Sequence, residues 1–388
     1  MKPIYLDYQS TTPTEKSVLK KMMPFFTDIY GNPHSLNHSF GTIASEAVSL
    51  SRKEIALAIG ADEQEIIFTS GATESNNLAI KGAFLYRYKY EKRKKIIIAS
   101  TEHKCVIEAA NSLISVGAEV VVLNVNRIGE IDLEQLKTII NDDVAILSIM
   151  LANNEIGVIQ SIEEISNICK KYNIWFHTDA AQAVGNLEID VNSLGVDLLS
   201  ISSHKVYGPK GIGCLYVRRR PRIRLISQID GGGQERLMRS GTLPTPLIVG
   251  FSEAVRISNN NLEANISALK VLGDKLHKNF NNYISQIKLN GPPLNSNRLP
   301  NNLNYTVQGI NGTHLTELLG EQVAFSAGSA CSTGGIEPSY VLNSIGLNDR
   351  DALSSFRISV GRNTTIHDID NASKIISDKI KFLRNNEG

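Results

Sequence analysis

Between about residues 65 and 217 the sequence alternates short β-branched runs with stretches of helical periodicity, and this alternation limits the fold more than any other feature. The strand candidates are 66–68, 96–98, 120–123, 145–148, 174–176, 198–201 and 213–217. Several are apolar throughout rather than at every second position, the pattern of strands covered on both faces. Strand and helix in turn imply an α/β architecture, a mostly parallel seven-stranded sheet with helices on both sides. Ligands of such sheets collect at the carboxyl ends of the strands.

Ahead of this region, 45–59 reads as an amphipathic helix stopped by Gly60. After it, a long helix over 262–280 leads to a second unit with strands near 287–289, 303–307, 323–325 and 356–359 and a Pro/Asn-rich turn over 291–302. A chain of 388 residues is too long for one compact core. The expected division is a large α/β domain, 14–257, and a smaller α+β domain built from 1–13 and 258–388.

The net charge of +1 supplies no argument for nucleic acid or an acidic membrane as a partner. Arg218-Arg219-Arg220 with Arg222 and Arg224 reads as a solvated edge, and 87–95 as a basic surface connection. Cys105, Cys169, Cys214 and Cys331 are dispersed without a C-x-x-C, which points to a reducing compartment. No apolar run approaches the ~20 residues that span a bilayer. The opening Met1-Lys2-Pro3-Ile4-Tyr5-Leu6-Asp7-Tyr8 resembles neither a secretory signal nor a transit segment. The expected location is cytoplasmic, and an organellar chain with its leader removed would read the same.

Two strand ends carry the charged groups that matter. Asp179 stands in His177-Thr178-Asp179-Ala180-Ala181-Gln182, and Lys205 in Ser202-Ser203-His204-Lys205-Val206-Tyr207-Gly208-Pro209-Lys210-Gly211. Pyridoxal phosphate (PLP) asks for such a pair: its aldehyde forms a Schiff base with a lysine, and an acid keeps its ring nitrogen protonated. Partial burial would favour the neutral amine that this condensation needs. Taken alone, the pair is better read as a structural ion pair at the sheet rim. The turn Thr69-Ser70-Gly71-Ala72-Thr73-Glu74-Ser75 opens a helix whose free N–H groups suit a phosphate, with Thr73, Ser202 and His204 as further donors. It would also serve as an ordinary helix cap. It is neither a Walker A loop nor a dinucleotide fingerprint. His103 follows the 96–98 run, where a ring can stack on a planar cofactor and relay protons. His34 and His38, four apart, lack the acidic partner of a zinc motif, so no metal site is read. His277, His314 and His367 read as structural.

Together these segments resemble the cysteine desulfurases of the NifS/IscS type, which are fold-type-I PLP-dependent transferases. The matching stretches are Tyr5-Leu6-Asp7-Tyr8, Gly31-Asn32-Pro33-His34-Ser35, the 69–75 turn, Thr101-Glu102-His103, Asn153-Asn154-Glu155-Ile156-Gly157, 177–182, 203–211, Arg239-Ser240-Gly241-Thr242 and Ser329-Ala330-Cys331-Ser332. They stand in family order over nearly the whole chain. The resemblance implies Lys205 as the Schiff-base lysine and proton carrier, Asp179 on the ring nitrogen, Gln182 on the ring hydroxyl and His103 over the ring. It assigns the phosphate to Ala72, Thr73, Ser202 and His204, with Thr242 from a neighbouring subunit, hence a homodimer. Asn154 would lie near the ring hydroxyl and the substrate. Arg357 would clamp the substrate carboxylate, a task suited to a planar bidentate donor, with Asn32 assisting.

Cys331 separates this chemistry from other PLP reactions. It sits in Ser326-Ala327-Gly328-Ser329-Ala330-Cys331-Ser332-Thr333-Gly334-Gly335, whose small residues imply an exposed, mobile loop. The resemblance implies that its thiolate takes the sulfur of L-cysteine as a persulfide and leaves alanine. Iron–sulfur cluster assembly through a scaffold protein would then be the destination, or tRNA thiolation through another acceptor, and Cys331 would be placed to ligate a cluster transiently. Cys169 and Cys214, in apolar contexts, read as structural, and so does Cys105. The family commonly carries alanine where Ser10 stands in Gln9-Ser10-Thr11-Thr12-Pro13. The chain ends at Gly388, without the C-terminal extension that housekeeping members use to dock the scaffold, which leaves the partner open. A related PLP lyase acting on selenocysteine or a sulfinate, and a catalytically silent assembly partner, are the competing readings.

Overall fold

The computed structural model describes residues 3–327 and 337–387. β1 (Ile4–Tyr5) opens the chain and belongs to the second unit. The apolar runs of the first unit become β2 (Ile66–Thr69), β3 (Lys95–Ala99), β4 (Glu119–Leu123), β5 (Val144–Ser148), β6 (Trp175–Asp179), β7 (Leu198–Ser202) and β8 (Gly213–Val217). All but β4 are buried along almost their whole length; β4 is the edge strand and leaves Val122 half exposed. β6 runs three residues past its apolar stretch because the polar residues find partners inside the sheet. His177 lies between the hydroxyls of Ser148 (2.7 Å) and Ser200 (3.0 Å), and the Thr178 hydroxyl donates to the Ile149 carbonyl at 2.7 Å.

These strands form one sheet in the order β2-β8-β7-β6-β5-β3-β4. β8 is antiparallel to both of its neighbours, and every other pairing is parallel. β2 therefore points the same way as β7, and six strands deliver their carboxyl ends to one edge. Hydrophobic clusters cover both faces of the sheet. The helix Ser39–Ala58 starts six residues earlier than expected, because the His38 ring caps it by accepting from the Gly41 N–H at 3.2 Å. The helix Ala72–Glu91 follows the turn after β2. Arg87 on it is fully buried and does not belong to the expected basic surface: it donates to the Ala145 carbonyl (3.1 Å) and to Glu91 (2.7 Å) and lies 4.8 Å over the Trp175 ring. Arg218 is similarly tied down, donating to the Val191 and Val196 carbonyls, whereas Arg219, Arg220, Arg222 and Arg224 are exposed.

The second unit holds β9 (Ile287–Leu289), β10 (Asn302–Val307), β11 (Val323–Ala324) and β12 (Ser355–Ser359), with the long helices Leu262–Tyr283 and Ile366–Glu387. Its three-stranded sheet runs β12-β10-β9, antiparallel throughout, and β1 pairs in parallel with β11. Leu6 is part of this second core. From there the chain crosses to the first unit as a strap over residues 9–12, where the Thr12 N–H and hydroxyl both donate to the His204 carbonyl at 3.0 and 2.9 Å. Among the described residues no helix is long and apolar enough to cross a membrane.

At the edge where β2 ends, Gly71 packs its backbone against Gly213. A Cβ added at Gly213 would lie 2.8 Å from the Gly71 Cα and would also collide with the Ile201 carbonyl oxygen. Both obstacles are backbone and cannot swing aside. Gly213→Ala should therefore cost about 1–3 kcal/mol. It should appear as a melting temperature lower by about 2–8 °C, together with weaker PLP retention, since the displaced segment carries the 71–73 turn. An unaltered melting curve would contradict this packing.

Candidate active site

The strand ends surround a cavity of about 570 Å³. Ala72, Thr73, His103, Asn154, Asp179, Gln182, Ser202, His204, Lys205 and Arg357 all line it, so the fold brings these predicted residues to one place. Asn32 and Thr242 are exposed and do not line it in the single chain. Cys331 lies outside the described residues. Ser326, the first residue of its expected mobile loop, is instead buried and paired with β12: its N–H donates to the Arg357 carbonyl at 3.1 Å and its carbonyl accepts from the Arg357 N–H at 2.7 Å.

Lys205 follows β7 in a short 3-10 turn, Ser203–Lys205, and its Nζ donates to the main-chain carbonyls of Gln9 and Ser10, the latter at 2.9 Å. Asp179 ends β6. Its Oδ1 accepts the Ala181 N–H (2.9 Å) and its Oδ2 the side-chain amide of Asn76 (2.7 Å). Gln182 donates to the Gln9 carbonyl at 3.0 Å. The helix Ala72–Glu91 points its N-terminus into the cavity behind Gly71, whose φ of 151° only glycine adopts with ease. Arg239 braces this turn through Glu74 at 2.8 Å, and Glu74 in turn accepts the Ser70 N–H at 2.7 Å.

A Cβ on Gly71 would meet nothing nearer than Ser202 Oγ at 4.0 Å, so open space lies between the helix N-terminus and Ser202. That space, with His204 and Thr73 on the same wall, fits a phosphate group. Lys205 and Asp179 in the same cavity fit the aldehyde and ring nitrogen of PLP.

The electrostatics separate charged groups from neutral ones. Glu102 is fully buried; its Oε1 accepts the Met150 N–H at 2.7 Å and its Oε2 has no partner among the described residues. Burial, and then the nearby Asp179 charge, push its carboxyl well above the usual range, against the Met150 hydrogen bond. Burial thus biases the Glu102 carboxyl towards its neutral form. His204, bonded through Nδ1 to the Thr11 hydroxyl at 3.1 Å, is pushed down to about 4 by burial and by the Lys205 and Lys210 charges. Burial takes His177 to about 4 as well, with Asp179 opposing.

Three participants escaped the sequence reading. Cys105 is not a structural bystander: its Sγ lies 3.0 Å from His103 Nδ1 and 3.1 Å from the Asn76 amide, in the cavity wall. Its N–H also donates to His103 Nδ1 at 3.2 Å, so that nitrogen acts as acceptor and the ring's proton sits on Nε2. Asn76 links Asp179 to Cys105; its place one helical turn from the phosphate turn was the available signal. The strap 9–12 lies where the sequence departs from the family pattern, and nothing in its composition reveals that it roofs the lysine. Cys169 and Cys214 are buried, with thiols pushed up by burial, as their contexts implied.

A family model described as aminotransferase class-V matches residues 4–372. The chain belongs to this family, on its cysteine desulfurase branch. The mitochondrial cysteine desulfurase of Saccharomyces cerevisiae is 50% identical over 383 residues, covering 99% of this chain and 76% of that protein. Cysteine desulfurase IscS of Rickettsia bellii is 49% identical over 382 residues, covering 98% and 92%. Among solved structures, a NifS-like protein superposes with a TM-score of 0.90 at 33% identity, covering 98% of this chain and 100% of its own. SspA in complex with cysteine gives 0.82 at 38% identity, covering 94% and 100%. Class-V enzymes of this branch depend on PLP, which agrees with the cavity's donors.

Glu102→Gln keeps the acceptor for Met150 and the neutral state, so PLP affinity should stay within about twofold of the parent, while Asp179→Asn should weaken it by about tenfold or more. Equilibrium dialysis of the cofactor measures both, and equal losses would contradict the division of charge. The histidines bear on stability. Both have folded values near 4, below the ordinary 6.5, so between these limits the unfolded chain binds more protons. Their contribution is present above pH ~6.5 and drains away as pH falls towards ~4. The melting temperature of the cofactor-free protein should decline across that window, less steeply in His204→Asn.

Proposed function

We propose that this chain removes sulfur from L-cysteine, accepts it on Cys331 and releases L-alanine. The balance is closed: cysteine and the Cys331 thiol give alanine and the Cys331 persulfide, with no outside oxidant or reductant. The observation that carries the reading is the convergence of Lys205, Asp179, His103 and Arg357 on one cavity.

When bound, PLP supplies an electron sink at the substrate α-carbon. Asp179 would accept from the protonated ring nitrogen, and burial biases Glu102 towards its neutral form. Lys205, moved off its carbonyl acceptors and deprotonated, exchanges protons with the substrate carbon. His103 presents Nε2–H to the cavity. Arg357 is 3% exposed, and its Nε has no partner among the described residues, as expected of a guanidinium with an edge left for a carboxylate.

The acting unit is a homodimer in this reading. Thr242 is exposed on a segment that Arg239 pins beside the phosphate turn, and the helices before residue 60 carry exposed apolar side chains such as Met23, Phe26, Leu50 and Leu57. The persulfide then goes to an acceptor for iron–sulfur cluster assembly, with tRNA thiolation as a second outlet, in the reducing setting of the cytoplasm. Three unpaired cysteines among the described residues suit that setting.

Incubation of the PLP-loaded protein with L-cysteine and a thiol reductant should release alanine and sulfide in equal amounts. Cys331→Ser should keep the absorbance of the bound cofactor and lose sulfur transfer, whereas Arg357→Lys should raise KM for cysteine by about tenfold or more. Full turnover by Cys331→Ser would sink the sulfur relay.

A further inference from the structure

One hydroxyl beside Arg357 has no part in the chemistry above. The guanidinium donates through Nη1 to the Asn154 carbonyl at 2.9 Å. Its Nη2 reaches Asp7 Oδ1 and Ser10 Oγ, each at 2.9 Å, and Ser326 Oγ at 3.1 Å. The two serines accept from the same nitrogen but differ in what they do with their own protons. Ser326 passes its proton to Asp7 Oδ1 at 2.9 Å. The Ser10 hydroxyl has no acceptor for its proton among the described residues, and Ser10 lines the cavity together with Arg357.

The same residue holds the other cation of the site, because its main-chain carbonyl accepts from Lys205 Nζ at 2.9 Å. Ser10 thus stands between the lysine and the arginine, the groups that face the two ends of an α-amino acid. A hydroxyl that accepts from a guanidinium is polarised and becomes a better donor. Arg357 Nε is also buried without a partner among the described residues, so the same guanidinium has a second donor that calls for an acceptor.

We propose that Ser10 is a specificity-determining residue for the substrate α-carboxylate. Its hydroxyl accepts from Arg357 Nη2 and donates its own proton to a carboxylate oxygen held by that arginine. The site consequently selects α-amino acids with a free carboxylate over amines of the same shape that lack one. The contact is additional to the alanine commonly found at this position in the family, and it rests on the reading of Arg357 as the carboxylate clamp.

The test compares the PLP-loaded parent with Ser10→Ala, Ser10→Thr and Arg357→Lys. Steady-state kinetics with L-cysteine are set against cysteamine, which keeps the thiol and amine without the carboxylate and is measured as a competing ligand where it does not turn over. Binding of L-alanine is followed separately through the cofactor absorbance. Ser10→Ala should raise KM for L-cysteine and weaken L-alanine by about five- to tenfold, with kcat falling less, while cysteamine shifts by under about twofold. Ser10→Thr, which keeps the hydroxyl, should stay within about twofold of the parent on every measure. Equal shifts for cysteine and cysteamine in Ser10→Ala, or unchanged L-alanine binding, would mean that the hydroxyl only props Arg357, and the proposal fails. If Arg357→Lys leaves KM for cysteine unmoved, the clamp reading itself falls, whatever Ser10→Ala does.

Discussion

Six strands that point the same way oblige six chain turns to share one edge of a sheet, and the chemistry of this molecule depends on that constraint. Residues scattered from Ala72 to Lys205 in sequence become the walls of a single cavity because each follows the carboxyl end of β2, β3, β5, β6 or β7. The reversed β8 matters as much as the parallel strands. By running antiparallel between β7 and β2, it sets the phosphate turn after β2 beside the lysine segment after β7. The second unit then adds Arg357 from β12, and the strap over 9–12 ties the two units across the cavity.

Charge is distributed with economy. Of the buried titratable groups around the cavity, Glu102 and His177 are both shifted towards their neutral forms by burial. Asp179, Lys205 and Arg357 line the same cavity. Asp7 partly offsets Arg357 at 2.9 Å, while the arginine's Nε stays buried without a partner among the described residues.

Much of the fold was legible because apolar β-branched runs have few other destinations: the β8 bounds are those read from the sequence, and the other central strands differ by a residue or so. β6 was the exception, since His177 and Thr178 look like turn residues until Ser148, Ser200 and Ile149 are known to be waiting beside them. Arg87 misled for the converse reason. A basic residue in a run of lysines reads as surface, and only the packed position of Trp175 and the Ala145 carbonyl shows where it is satisfied. In the site, the groups that bear charge or follow strand ends were readable. Those that act through hydrogen bonds to such groups, Asn76, Cys105 and Ser10, were not: the partners of Asn76 and Ser10 are 29 to 347 residues away along the chain, and Cys105, only two residues from His103, shows its second partner Asn76 only in the fold.

The resting contacts of Lys205 carry a consequence of their own. Among its acceptors are the peptide oxygens of Gln9 and Ser10. Exchanging either residue for another leaves those oxygens in place, so a scan of point substitutions would pass over them without a signal. Only a change in the course of the backbone, such as a one-residue deletion in the strap, would take the berth away. A contact of this kind drifts freely in sequence while staying fixed in space.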